Sequence, residues 1–280
     1  KIRIIYSVFL GIFALYYGSF NVWTEYAGTV MESLLFLFIA ASIAGFIDTL
    51  AGGGGLITVP ALILTGIPPH VALGTNKLQS SIGSGTATLM MFRKGRVSWQ
   101  SVKALMLAAF IGSLLGTVAV QFIDAAVLSF VVPSVLVIIA LYFLFSPQLS
   151  EVERHPVLSE NLYRRLLVPV IGWYDGMFGP GTGSFFALAG VSLRGQGLID
   201  ATVVAKTLNF ATNIASLMVF LIAGKVVWLY GFTMMAGQFL GAFAGSHCLL
   251  RINPRYLRML VVTMCLAMLL RYAYSAGWLG

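Results

Sequence analysis

Stretches of about 20 apolar residues recur along the whole chain, and they constrain its fold more than any other feature. A transmembrane helix needs about 20 mostly apolar residues. Such stretches lie at roughly residues 4–23, 31–50, 71–92, 100–122, 126–146, 199–222, 227–250 and 256–278. Only 9% of the residues are charged, against roughly 25% in soluble proteins, which is too few to cover a soluble surface. The sequence therefore predicts an all-α polytopic membrane protein.

A duplication of glycine, aspartate and lysine residues divides the chain into two repeats. The segment Gly45–Gly54 matches Gly172–Gly181, and further along each repeat Lys77 matches Lys206. Such internal repeats are typical of secondary transporters. The predicted order is an extra N-terminal transmembrane helix at 1–25, repeat 1 at 31–146, a cytoplasmic linker at 147–163 and repeat 2 at 164–280.

The positions of the cations predict that the two repeats have opposite orientations in the membrane. Repeat 1 has four Lys or Arg residues in the loop at residues 93–103, and cytoplasmic loops carry such an excess. In repeat 2 the equivalent loop holds only Lys225, and three arginines lie instead at residues 251–258. This swap predicts inverted-topology repeats. It also predicts a cytoplasmic N-terminus and a periplasmic or extracellular C-terminus.

Each repeat is predicted to contain a glycine-rich re-entrant hairpin followed by three transmembrane helices. The number of crossings leaves the glycine-rich segments without a net crossing. They are therefore interpreted as broken helical hairpins that enter from opposite faces and meet near the midplane. The first hairpin covers residues 31–67, and the second covers residues 165–197.

The two glycine turns are the first candidate for a binding site. Irregular backbone at membrane depth must be buried in protein or face a watery cavity. Each turn also precedes a helix, whose first N–H groups and positive dipole end favour an anion. The candidate groups belong to Gly53, Gly54, Gly55, Gly181, Thr182 and Gly183. The alternative is that these glycines only allow close helix packing, which is the interpretation favoured for the G-x-x-x-G pairs Gly112/Gly116 and Gly241/Gly245.

Two intramembrane lysines are the second candidate. Lys77 and Lys206 lie about six residues into apolar helices, where an unpaired lysine costs a few kcal/mol or more. Polar residues share this part of the sequence: Asn76, Ser80 and Ser84 in repeat 1, and Asn209 and Asn213 in repeat 2. Each repeat could thus present a cation and hydrogen-bond donors to an anion. The alternative is a structural ion pair inside each repeat, Lys77 with Asp48 and Lys206 with Asp175.

Asp48 and Asp175 precede the turns by four residues, and the sequence leaves three roles open for them. They could cap N–H groups of the turns, neutralise the lysines or take up a coupling proton. The last role would require burial to favour the neutral carboxyl group. The coupling ion, proton or sodium, and the oligomeric state are left open.

Other classes of function find no support in the sequence. The three histidines and two cysteines have no ligand spacing, so neither a metal site nor another cofactor is predicted. The net charge of +8 is explained by loop cations, so no nucleic-acid partner is predicted. Neither glycine turn continues into the Gly-Lys-Ser/Thr of a P-loop. No nucleophile and base are recognisably paired, so an enzyme is not predicted.

The paired motifs resemble the TauE/SafE family of sulfite-exporter-like anion permeases, and within it the YfcA-like branch. The resemblance covers residues from about 40 to 275 and leaves the N-terminal segment outside. The motifs that carry it are Gly45–Gly55, Thr75-Asn76-Lys77, Tyr174–Gly183 and Lys206-x-x-Asn209-x-x-x-Asn213. The resemblance implies a bacterial inner-membrane carrier for sulfur-containing anions such as sulfite or organosulfonates.

The sequence is therefore compatible with two functions. The first is a secondary transporter that binds a small anion between the two hairpins and works by alternating access, in the export direction that the resemblance implies. The second is a passive anion channel that uses the same lysines for selectivity. The predicted partners are a small anionic substrate and the lipid bilayer.

Overall fold

The computed structural model describes residues 20–145, 155–248 and 254–275. The chain divides into two compact units, residues 1–36 and residues 37–280. The contacts that position the candidate site lie within the second unit. Most of the predicted N-terminal helix at 1–25 and part of the linker at 147–163 lie outside the described residues, as do Arg251 and the two chain ends.

The described residues form an all-helical fold. Its helices are α1 Phe20–Ala51, α2 Gly55–Leu64, α3 Pro69–Arg93, α4 Trp99–Gln121, α5 Ala125–Phe145, α6 Val168–Met177, α7 Thr182–Arg194, α8 Leu198–Ile222, α9 Trp228–Cys248 and α10 Pro254–Ser275. A helical turn at Glu160–Leu162 and a π-helix at Tyr163–Leu167 lead directly into α6. Both α3 and α8 have 25 residues, with Lys77 and Lys206 at the same position in each. The same order of helices thus occurs in both halves, and their inverted relation stays a prediction.

Among the described helices, four are long and apolar enough to cross a bilayer. They are Val30–Ala51, Trp99–Gln121, Ala125–Tyr142 and Leu198–Ile222. The helices after the two turns are much shorter, since α2 has 10 residues and α7 has 13. At 1.5 Å per residue they are about 15 and 20 Å long, or roughly half to two-thirds of a hydrocarbon core. These lengths agree with hairpins whose turns lie inside the membrane and whose second arms begin there.

The first hairpin differs from the second in its first arm. α1 is continuous over 32 residues, whereas α6 has 10 residues and follows a π-helix. The apolar stretches at 4–23 and 31–50 predict a break between residues 23 and 31, but the structure shows none there. The physical reason is that residues 20–51 contain no proline to interrupt the helix.

The two G-x-x-x-G pairs pack each half of the chain against the other. A Cβ atom added at Gly116 on α4 would lie 2.0 Å from the backbone oxygen of Trp173 on α6. A Cβ atom added at Gly241 on α9 would lie 2.0 Å from the backbone oxygen of Ser42 on α1. Only glycine allows backbones to approach this closely. The packing interpretation of these glycines is confirmed.

Gly116→Ala is expected to destabilise the protein by about 2–4 kcal/mol, because the added methyl group must push α4 and α6 apart. Thermal unfolding in detergent would measure the effect. Leu115→Ala is the matched control, since Leu115 is 59% exposed on the same helix. An unchanged melting temperature for Gly116→Ala would contradict the close packing of α4 on α6.

Candidate functional site

The two glycine turns contact each other at the centre of the fold. The hydroxyl of Ser184, on α7, donates a hydrogen bond of 2.5 Å to the backbone oxygen of Ala51, the last residue of α1. A Cβ atom added at Gly52 would lie 2.7 Å from the backbone nitrogen of Ser184, and one added at Gly55 would lie 3.0 Å from Cα of Pro180. Gly52 also has φ +74°, a left-handed conformation that favours glycine. The two glycine turns therefore pack so closely that no side chain fits at Gly52 or Gly55.

Each lysine pairs with the aspartate of the other half of the chain. The Lys77 ammonium donates to Oδ2 of Asp175 at 2.8 Å and to the backbone oxygen of Asp175 at 2.6 Å. The Lys206 ammonium donates to Oδ2 of Asp48 at 3.0 Å and also to the backbone oxygen of Asp48. The alternative of pairs inside each repeat is wrong, because each lysine helix faces the turn of the opposite hairpin.

Helix ends strengthen these ion pairs. Asp48 lies in the last turn of α1 and Asp175 in the last turn of α6, where backbone oxygens have no partner within the helix. The backbone oxygen of Asp48 already accepts a hydrogen bond of 2.9 Å from the backbone nitrogen of Gly52, and each lysine adds a donor to its aspartate's carbonyl and compensates the negative end of the helix dipole. Each lysine thereby fastens the end of a hairpin arm from the other half to its own helix.

The two aspartates are not equivalent in the structure. Oδ1 of Asp48 accepts a hydrogen bond of 3.1 Å from the backbone nitrogen of Gly54, so Asp48 caps its own turn as well as pairing with Lys206. Within the described residues, Asp175 makes no such bond to its turn. The Asp48 side chain is 19% exposed and the Asp175 side chain 1%. Both aspartates neutralise a lysine, only Asp48 caps a turn, and a role in proton coupling stays a prediction.

A small cavity lies between the two turns. Its volume is about 20 Å³, enough for about one water molecule. The lining residues are Asp48, Gly54, Gly55, Asn76, Ser80, Asp175, Gly179, Gly181, Thr182, Gly183, Asn209, Asn213 and Gln238. The structure thus brings together most of the residues that the sequence analysis selected. Gly53, Lys77 and Lys206 are not among the lining residues, but both lysines pair with lining aspartates.

Unpaired hydrogen-bond donors surround this cavity. In the part of the chain that the structure describes, the backbone N–H groups of three lining glycines, Gly55, Gly181 and Gly183, donate to no protein atom, and neither does that of Gly53, which precedes the lining residue Gly54. These groups lie at the starts of α2 and α7, where the positive helix ends add to their pull on an anion. The arrangement offers an incoming ligand donors from both hairpins.

Two asparagine side chains add further donors, and their orientation is fixed. The amide oxygen of Asn76 accepts from the Thr58 hydroxyl at 2.6 Å and from Gln79 at 2.7 Å. The amide oxygen of Asn209 accepts from Asn213 at 3.3 Å. Because both oxygens are occupied, each asparagine has its NH₂ group left for the cavity.

Gln238 is the lining residue that sequence reasoning missed. It lies on α9, is 3% exposed and makes no hydrogen bond within the described residues. Its side chain fits against two glycines, because a Cβ atom at Gly45 or Gly83 would lie 2.6 or 2.5 Å from its amide oxygen. The available signal was a glutamine inside an apolar span, where polar residues are costly and commonly functional.

The described residues contain no group of three His, Cys, Asp or Glu side chains that could hold a metal ion. The cavity lining offers amide donors, hydroxyls and paired charges.

The comparisons with known proteins give the identity of the family. The model of the family "Sulfite exporter TauE/SafE" matches residues 37–272. A protein of Haemophilus influenzae described as "Probable membrane transporter protein" is 44% identical over 248 residues, which cover 89% of this chain and 97% of that protein. The "Probable membrane transporter protein YfcA" of Escherichia coli K12 is 42% identical over 250 residues, covering 87% and 93%.

No solved structure matches the chain significantly. The family match spans both glycine turns, both lysines and the cavity between them, and the bacterial relatives align over nearly their whole length. The recognition made from the paired motifs is confirmed. The chain belongs to the TauE/SafE sulfite exporter family of multi-pass membrane transporters.

Proposed function

We propose that the protein is a secondary transporter of small anions, sulfur-containing ones such as sulfite or organosulfonates, and that it binds them between the two glycine turns. The observation that carries this proposal is the set of unpaired N–H donors around the central cavity. These donors belong to three lining glycines, Gly55, Gly181 and Gly183, and to Asn76 and Asn209. Groups that can only donate hydrogen bonds select a ligand that can only accept them, and an oxyanion is such a ligand.

The paired lysines define how the anion would be held. With two lysines and two aspartates the centre has no net charge, so the lysines alone do not attract an anion. An oxyanion resembles a carboxylate in charge and in hydrogen-bond geometry. It can therefore replace the carboxylate of Asp48 on Lys206, the more exposed of the two pairs. Binding would then free Asp48 to take up a proton or sodium ion, which gives a route to coupling.

The size of the cavity favours a carrier over a channel. The cavity of about 20 Å³ between the turns is too small for a polyatomic anion, since a space of this size holds about one water molecule. The hydrogen bond between Ser184 and Ala51 holds the two turns together. The site must therefore rearrange to admit its ligand, as alternating access requires.

Equivalent contacts in the two halves support the inverted repeat. The Lys77–Asp175 and Lys206–Asp48 pairs join residues that the two repeats align, and so do the Gly116–Trp173 and Gly245–Phe46 contacts. A two-fold axis would produce such reciprocal contacts. The protein would lie in the bacterial inner membrane. With the loop at residues 93–103 in the cytoplasm, its N-terminus is cytoplasmic and its C-terminus lies on the outer side.

Sulfite counterflow in proteoliposomes tests the function. We expect saturable uptake of labelled sulfite driven by unlabelled sulfite inside. Replacing Asn76 or Asn209 with Ala should lower the rate about 10–100-fold, because a hydrogen bond to a charged ligand is worth about 1.5–3 kcal/mol. Thiosulfate, sulfoacetate and short carboxylates would define the range of cargo.

Asn161→Ala is the matched control, since Asn161 is exposed and does not line the central cavity. It should transport at the wild-type rate. Large unitary currents in place of counterflow would support the channel and contradict the carrier. Full transport activity of both Asn76→Ala and Asn209→Ala would contradict a binding site in this cavity.

A further inference from the structure

A second cavity lies at one end of the two lysine helices. Its volume is about 70 Å³, several times that of the central cavity. The lining residues are Met91, Lys94, Arg96, Ile199, Val203, Ser246 and His247. Three of these side chains carry or can carry a positive charge, and none is a carboxylate. Met91, Val203 and Ser246 are buried, whereas Lys94, Arg96 and His247 are exposed.

This cavity is connected to the central site through α8. Val203 precedes Lys206 by three residues, or about 4.5 Å along the helix, and both lie on the buried side of α8. On the opposing helix α3, Met91 lines the cavity and Thr88 donates a hydrogen bond of 3.1 Å to the backbone oxygen of Lys206. Val203 at the cavity is therefore about one helical turn along α8 from Lys206, whose ammonium pairs with Asp48.

The equivalent place at the opposite end is closed. When the two lysine helices are aligned on their lysines, Gly74 is the counterpart of Val203, Phe220 that of Met91 and Lys225 that of Arg96. A Cβ atom at Gly74 would lie 2.0 Å from the backbone oxygen of Lys225, and Phe220 is fully buried. The backbone nitrogen of Val227 also donates a hydrogen bond of 3.0 Å to the Thr75 hydroxyl.

One sequence difference explains this asymmetry. At the closed end Gly74 has no side chain, so the loop after α8 can settle onto the start of α3. At the other end Val203 occupies the same position with a branched side chain. The loop after α3 therefore stays off the start of α8, and the cavity remains between them.

We propose that the cavity at Lys94 and Arg96 is an entry site for the transported anion, and that the contact of Lys225 with Gly74 closes the opposite route in this conformation. The proposal rests on the proposed function. The cations concentrate anions at the mouth. Lys94 is also fixed there by a hydrogen bond of 2.9 Å to the backbone oxygen of Ser246. The ligand is a small oxyanion, either the free cargo or the headgroup of an anionic lipid.

Thiol labelling of a matched pair of positions tests the proposal without requiring transport. In a background with Cys248→Ser and Cys265→Ala, Ile199→Cys places a thiol at the cavity. His70→Cys places one at the equivalent closed position. An anionic methanethiosulfonate should label Ile199→Cys at least about tenfold faster than His70→Cys, and faster than a cationic reagent does. Labelling should occur from the cytoplasmic side.

Two further sets of variants test the charges of Lys94 and Arg96 and the contact of Lys225 with Gly74. Lys94→Gln with Arg96→Gln should lower the ratio of anionic to cationic labelling at Ile199→Cys by about tenfold. Gly74→Ala should raise the reactivity of His70→Cys, because the methyl group displaces Lys225. Thr75→Val provides the same test by removing the bond to Val227 if Gly74→Ala does not fold.

Each outcome decides the proposal. Equal labelling rates at Ile199→Cys and His70→Cys would overturn it. So would a ratio of anionic to cationic labelling that stays the same when Lys94 and Arg96 are replaced. If sulfite slows the labelling of Ile199→Cys, the ligand of the cavity is the cargo. If only anionic lipid in nanodiscs slows it, the proposal of an entry site is contradicted. Labelling of Ile199→Cys from the outside would contradict the orientation. Asymmetric labelling without any sulfite counterflow would leave the entry site in place and refute the proposed cargo.

Discussion

Lys77→Ala is expected to abolish sulfite transport and to lower the free energy of unfolding by about 3–5 kcal/mol. The reason is that the substitution leaves the Asp175 carboxylate, which is 1% exposed, without its cation. Chemical unfolding in detergent and counterflow in proteoliposomes would measure the two effects. The loss of transport in this variant has two causes, the missing charge and the weakened fold.

A double-mutant cycle separates these causes and tests the crossed pairing. Lys77→Ala with Asp175→Asn should recover much of the lost stability, because neither charge is then buried alone. Transport should stay abolished, since the lysine is absent. Lys77→Ala with Asp48→Asn is the control and should show no coupling. Strong coupling of Lys77 to Asp48 would show that the lysines pair inside each half of the chain.

Gly183→Ala should reduce sulfite transport by about 10–100-fold while changing stability by less than about 1 kcal/mol. The added methyl group would lie 3.3 Å from the Lys206 ammonium and 3.7 Å from the amide nitrogen of Asn209. It would cover the unpaired N–H groups of the turn without meeting any backbone atom closer than 3.6 Å. The variant therefore tests the binding site with little disturbance of the fold.

Ser192→Ala is the matched control for Gly183→Ala, because Ser192 is exposed on the same helix. Both variants should unfold at nearly the wild-type temperature. Wild-type transport by Gly183→Ala would exclude the turn as the binding site. A large loss of stability in this variant would indicate that Lys206 cannot shift, and that its pair with Asp48 is rigid.

The positions of the helices were largely predictable because they depend on local hydropathy. The predicted stretches at 199–222 and 227–250 agree with α8 and α9 within two residues at each described end. The break expected before residue 31 is absent, because apolar length alone does not mark where one helix stops. The glycine turns were also predictable, since contiguous glycines at membrane depth have few structural uses.

The site was predictable in its residue types and only partly in its members. Asn76 and Asn209 were selected because polar residues in apolar helices are costly unless they serve a purpose. Gln238 was missed, since it lies on α9, far from any turn in the sequence. The cavity at Lys94 and Arg96 was missed because loop cations ordinarily serve orientation, and their sequence positions do not reveal the space beside Val203.

The sequence by itself determined that this protein is an all-helical membrane protein and that its costly residues occur in two copies. It also determined the family, since the motifs around the turns are specific. Only the tertiary structure decided that Lys77 pairs with Asp175 and Lys206 with Asp48. The reason is that hydropathy and periodicity act over a few residues, whereas these partners are 98 and 158 residues apart. Their pairing depends on which helix ends meet at the centre, and it leaves the amide donors as the unpaired groups of the site.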